Sequence, residues 1–220
     1  MNRVNSTPPI QLGSDEVLAD RDFTHPSQSQ IDLQYLQQLR AYAQQLAKQA
    51  DLLAPQKPTH GWNFADAVGL LRRMIVLQPQ TLRQVSPIFV VGFCGQRRTA
   101  ITAEHAQQIA ELDGALVQEL AQHPHMLAYC SIQTSVDGFD WANLVLLAHA
   151  DGITHWRNSQ THKQAVDSLA PQYYRSIRLH NGILPHGIAS ANLVLHSTKY
   201  FDYTDTTPWR AVRQLQKDKE

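Results

Sequence analysis

The chain has 220 residues, 43% of them apolar and 17% charged, with 19 basic against 19 acidic side chains and a formal net charge of zero. A chain of this size removes roughly 70% of its unfolded surface from water on folding, so its core needs neither metal nor disulfide staples. Zero net charge argues against a partner captured by field alone, duplex DNA or an anionic membrane, because such binding grows with the number of phosphates neutralised.

Only Cys94 and Cys130 are present, with no Cys-x-x-Cys pair, which is too few for a disulfide framework and fits a reducing cytoplasm. Residues 1–30 contain no apolar segment of the kind that opens a secretory leader. The longest apolar runs, IFVVGFC and NLVLLA, fall far short of the ~20 residues that span a bilayer. The expectation is a cytoplasmic protein with no membrane or nucleic-acid partner.

Residues 1–30 are rich in Pro, Ser, Thr, Asn and Asp without periodicity and read as a flexible arm. Over residues 31–53, Leu36, Leu39, Ala43, Leu46, Ala50 and Leu53 recur at steps of three and four, which predicts a helix with one apolar stripe. Pro55 and Pro58 stop it, and Asn63 is placed to cap a second helix with Phe64, Val68, Leu71 and Ile75 on its buried side. Residues 31–80 are thus expected to form a helical extension, and residues 81–205 the main domain, followed by a tail over 206–220.

From Pro87 the pattern changes. Residues 88–94 are apolar on both alternating faces, as in a strand buried on both sides. Thr102 caps a helix with Ile109, Leu112, Leu116 and Leu120 along one stripe. Residues 126–134 and 141–149 form a hairpin around Asp137-Gly138, and a second helical stretch runs from Asp151 to about Leu169, ending before Pro171. Strands are expected over 175–184 and 192–203.

Strand, helix, strand, strand, helix, strand is the ferredoxin-like βαββαβ arrangement, here an α+β fold with two covering helices and an N-terminal helical extension. It requires the first and third strands at the centre, and these are the two continuous apolar runs. Two helices cover one sheet face, so the other must meet either the N-terminal helices or a second copy of the chain, a homodimer being the expected partner.

The order of elements, together with the segment ITHWRNSQTHKQAVDSLAPQYYRSIRLHNG, resembles the dimeric α/β-barrel superfamily, whose members include antibiotic-biosynthesis monooxygenase-like proteins and haem-handling relatives. Trp156, Ser159, His162 and Pro171 stand where members of that superfamily carry an aromatic, a hydroxyl, a His or Tyr, and a Pro-containing break. The resemblance spans residues 87–203 at most. It implies a homodimer with a small-molecule pocket between sheet and helices, and monooxygenase-like chemistry in which the substrate itself supplies electrons to oxygen. A haem cofactor is implied by that resemblance alone, since no cofactor motif is present.

Among eleven histidines, His155 and His162 lie seven apart on one predicted helix, a rise of ~10.5 Å, too far to share a metal with His-N bonds of ~2.0 Å. His123 and His125 flank Pro124 with no carboxylate or thiol nearby in sequence, and no metal site is expected. His149 ends a central strand where it can line a cavity. The cluster Tyr173, Tyr174, Arg175, Arg178, His180 and Asn181 puts Arg178 and His180 on one strand face with Ser176. Arg178 suits a carboxylate or phosphate, and His180 a proton moved near neutrality; a solvated edge-strand face is the competing reading. The candidate proton-transfer groups are therefore His180, His155 and His162, and the candidate ligand contacts are Arg178, Trp156, Tyr173, Asn181 and His149. Cys94, between the glycines of GFCGQRR, ends a buried strand and reads as inert despite Arg97 and Arg98. The central strands lack the exposed aromatics of an RNA-binding sheet. Two functions remain open: a small-molecule-binding protein or monooxygenase-like enzyme, and a noncatalytic binding or assembly protein whose N-terminal helix contacts a partner.

Overall fold

The computed structural model describes residues 8–49, 62–65, 69–120, 122–134 and 140–215. In chain order the elements are β1 (Ile10–Leu12), α1 (Pro26–Gln49), β2 (Trp62–Ala65), β3 (Leu71–Val76), α2 (Pro79–Gln84), β4 (Ile88–Arg97), α3 (Ala103–Leu120), β5 (Met126–Gln133) and β6 (Trp141–Leu147). They continue as α4 (Asp151–Asn158), α5 (Gln160–Gln164), a π turn over Ala165–Leu169, α6 (Ala170–Tyr173), β7 (Tyr174–Leu184), β8 (Val194–Asp202) and β9 (Trp209–Gln214). All the described strands join one sheet in the order β1-β9-β8-β7-β4-β6-β5-β3-β2.

The ferredoxin-like order is embedded in that sheet as β7-β4-β6-β5, with the first and third strands of the motif central as the apolar runs require. The sheet is larger than the simple motif. β5 and β7 are not edges: β3 pairs along β5, matching Met74 with Cys130, and β8 pairs along β7, matching Thr198 with His180.

The second helix expected from Phe64 is instead the antiparallel pair β2 and β3, registered Phe64 to Arg72. Gly69, at φ +86°, turns the chain inside the segment that would have been helical, and the Ile75-Val76 pair that follows favours extended backbone. Val68 of the expected stripe, the Asp137-Gly138 turn, and Ala50 and Leu53 of the first helix lie outside the described residues. The arm also differs from expectation. β1 pairs in parallel with β9, placing Ile10 beside Ala211, and Phe23 and Thr24 are buried. β9 itself lies within the expected tail, so the C-terminal segment belongs to the sheet.

The helix expected over 31–53 begins earlier, at Pro26, and its stripe is spent within the chain. Leu36, Leu39, Ala43 and Ala47 are completely buried against Val90, Cys94, Cys130, Leu144 and Leu146. Gly92 makes the close approach possible, because a Cβ there would stand 2.5 Å from Leu36 Cδ1. Fully burying each leucine contributes roughly 1.5–3 kcal/mol. The sheet's second face is therefore covered by α1 of the same chain, which removes the bare face from which a homodimer was argued. The opposite, Gln-bearing side of α1 stays at the surface. The sheet's other face carries Phe89, Val91, Tyr129, Val145 and Leu147 beneath Val117 and Leu120 of α3 and Ile153 and Trp156 of α4. Among the described residues no helix is long and apolar enough to cross a membrane.

Candidate functional site

The sheet separates the residues nominated from sequence into two groups on opposite faces. Arg178 and His180 lie on the face under α1, as their pairing with Cys94 and Gly92 dictates. Neither is solvated: Arg178 is 6% exposed and His180 0%. β7 is an interior strand, so the edge-strand reading of this face does not hold.

Their partner is Asp32, one turn before Leu36 on the buried stripe of α1. Arg178 donates to it through Nε (2.5 Å, to Oδ2) and Nη2 (2.7 Å, to Oδ1), and His180 Nε2 lies 2.9 Å from Oδ2. His180 Nδ1 in turn lies 2.9 Å from Thr198 Oγ1. Burial alone would raise the Asp32 pKa, but the hydrogen bonds from Arg178 and His180 outweigh it and hold the carboxyl at about 2. The carboxylate is thus ionised and fully used.

Asp32, Cys94 and His180 bring ligand atoms within 4.8 Å of one another, the spacing of a metal site. Their chemistry does not fit one. Both Asp32 oxygens accept from Arg178, both His180 nitrogens are engaged, and burial pushes the Cys94 thiol well above its usual range. A guanidinium already occupies the carboxylate, and α1 closes the approach. The assembly fastens α1 to the sheet. Sequence reading missed Asp32, although its i, i+4 spacing to Leu36 places it on the stripe.

The second group lies on the other face, where the α3–β5 connection meets α4. An open cleft of ≈ 260 Å³ is lined by Glu119, Gln122, His123, His155, Trp156 and Ser159. It forms because the predicted single helix breaks at Ser159 rather than at Pro171. Ser159 Oγ accepts from the His162 backbone N–H (3.1 Å), capping α5, and donates to Glu119 Oε2 (2.5 Å). Thr161 Oγ1 donates to the other Glu119 oxygen (2.5 Å), so α3 is tied to the break.

The imidazoles in and beside the cleft differ in what they can do. His123 is buried, with Nε2 3.1 Å from the Gly152 carbonyl and Nδ1 accepting from the His125 N–H (3.2 Å). Burial holds its pKa below the usual value, and it is a structural, neutral ring. His155 packs edge-on to His123 at 4.7 Å between ring centroids, is exposed, and makes no hydrogen bond among the described residues. Trp156, half-buried, stands between His123 (6.1 Å) and His162 (5.4 Å). Burial lowers the His162 pKa, with Asp167 and Glu119 opposing that shift.

The structure thus brings His155 and Trp156 together in one cleft, with His162 on the far side of the indole. His149 is not among the cleft's lining residues; its ring lies 5.1 Å from that of His125, centroid to centroid. The remaining nominees are elsewhere. Tyr173 is buried with its ring 4.9 Å from Tyr174 and its phenol pKa raised by burial, and Asn181 donates to Ser197 Oγ (3.4 Å). Arg98 is spent on the carbonyls of Pro171 and Tyr203. The arrangement offers a stacking wall, a free imidazole and an amide around a small volume. A haem does not fit the cleft as it stands, because ≈ 260 Å³ lies below the ~300–1,000 Å³ of pockets that hold even drug-sized ligands.

No family profile matches the chain, and no curated protein matches it. Solved structures similar to part of it include protein SO0527 from Shewanella oneidensis, with a TM-score of 0.37 and 11% identity over 44% of this chain and 90% of that one. PA3566 from Pseudomonas aeruginosa has a TM-score of 0.36 and 11% identity over 44% and 91%. A protein from Thermobifida fusca, described as a dimeric ferredoxin-like protein of unknown function, has a TM-score of 0.32 and 18% identity over 41% and 84%.

Proposed function

We propose that the protein binds a small planar polar molecule in the cleft between α3 and α4, stacked on Trp156 and hydrogen-bonded by His155 and Gln122. The supporting observation is the pairing of a half-buried indole with an exposed, unbonded imidazole in one concave site. Aromatic faces bind flat ligands at low entropic cost, and a few polar groups fix orientation. If turnover accompanies binding, His155 is the proton-transfer group, because it alone of the three nominated histidines lines the cleft. The monooxygenase-like activity implied by the family resemblance would then place its substrate here rather than against His180. Two buried free cysteines support a reducing, cytoplasmic setting.

The test is a thermal-shift screen of small heteroaromatic and aryl carboxylic compounds on the full chain. A binder of the folded state raises the melting temperature. The shift should vanish in His155→Ala, whose exposed side chain carries no part of the core, and in Trp156→Ala. Compounds that shift the wild type and His155→Ala equally, or a screen with no shift, refute the assignment.

A further inference from the structure

We propose that His125 and His149 chelate a divalent transition-metal ion, with water or a bound ligand filling its remaining positions. His125 immediately precedes β5 and His149 follows β6 by one residue. The Ala148 N–H donates to the His125 carbonyl (2.9 Å), extending by one step the ladder that pairs Met126 with Leu147. Paired backbone thus carries His125 and ends one residue before His149, whose carbonyl accepts from the Gly152 N–H (3.1 Å), so the two side chains are set beside each other before any ion arrives.

That spacing suits a chelate. With metal–nitrogen bonds of ~2.0–2.1 Å, each imidazole centroid lies roughly 3.2 Å from the ion, and nitrogen–metal–nitrogen angles of ~90–109° put the two centroids roughly 4.5–5.2 Å apart. The observed separation is 5.1 Å, with the rings inclined at 65°. Neither ring makes a hydrogen bond among the described residues, in contrast to His123, whose nitrogens are both occupied. His149 is exposed and His125 half-buried, so an ion has a way in. Gly152 allows the close packing here: a Cβ there would stand 3.1 Å from His125 Cβ, tight enough that His125 would have to give by a few tenths of an ångström. Imidazole donors select zinc, nickel or copper(II) over magnesium or calcium. The site does not depend on the ligand proposed for the neighbouring cleft.

Titration of the full chain with nickel(II) by calorimetry, and copper(II) electron paramagnetic resonance, test it near neutral pH. The expected result is one equivalent bound, with two imidazole nitrogens in the copper spectrum. His125→Ala and His149→Ala should each weaken binding by about tenfold or more, a lost ligand costing at least what a lost second-shell partner does. His186→Ala and His196→Ala should leave it unchanged, and the melting temperature of His149→Ala should confirm an intact fold. No binding, or binding that survives either of the two key substitutions, overturns the proposal.

Discussion

Asp32 on α1 and Arg178 on β7, 146 residues apart in sequence, meet in a two-bond ion pair sealed from solvent. Arg178 Nη1 is buried beside it with no hydrogen-bond partner among the described residues. Removing one member strands the other charge, so Asp32→Ala or Arg178→Ala should cost about 3–5 kcal/mol in urea unfolding. The double replacement Asp32→Leu/Arg178→Met should cost far less than the sum of the two alanine variants. Additive costs would show that the pair does not act as a unit.

Acid should unfold the protein in two stages. His123 and His162 have pKa values held below 6.5 by burial, so as pH falls through about 6.5 the unfolded chain takes up protons first and stability declines. Asp32 acts lower. Its pKa falls from 3.8 to about 2 on folding, so its stabilisation is complete above pH 3.8 and lost as pH drops from there towards 2. That fall corresponds to stabilisation on the order of 2 kcal/mol. Melting temperatures across pH should show the upper stage reduced in His162→Gln and the lower stage removed in Asp32→Asn.

Arg213 is completely buried, and its guanidinium donates to the carbonyls of Gly13 (3.0 Å), Thr24 (2.7 Å) and Glu16 (2.5 Å) and to Tyr200 Oη (2.9 Å). Arg213→Met should cost at least about 3 kcal/mol by leaving these acceptors unpaired, and should open residues 10–24 to limited proteolysis before the rest. Arg213→Lys should not restore stability, because an ammonium cannot span the same fork of acceptors.

Both thiols should resist a thiol-specific aromatic disulfide in the native state. Burial pushes Cys130 up to about 12 and Cys94 well above its usual range, so neither supplies thiolate at neutral pH. Labelling should follow the rate of unfolding. Fast labelling of the folded protein would contradict the burial.

The central motif was legible because β4 and β6 are apolar on both faces and Thr102, whose Oγ1 accepts from the His105 N–H (3.2 Å), is a local N-cap signal. The β2–β3 pair was not, because Phe64, Leu71 and Ile75 happen to fall at helical spacing and only the turn at Gly69 decides against it. His155 and Trp156 could be nominated from one helix. Glu119 could not, since its link to Ser159 spans 40 residues and leaves no local trace. Asp32 was hidden for a related reason: a carboxylate in a stripe signals the helix's solvent side unless its distant cation is known.

β1 lies beside β9, so Ile10 and Ala211 become neighbours across nearly the whole described chain. A ribosome adding about 5–20 residues per second leaves the first strand waiting roughly 10–40 s for its mate. Through that interval α1 can dock as soon as β4 to β7 exist, while the opening segment stays unfastened. The molecule is thus assembled from its middle outwards and laced shut last, at the margin where β1 and β9 meet.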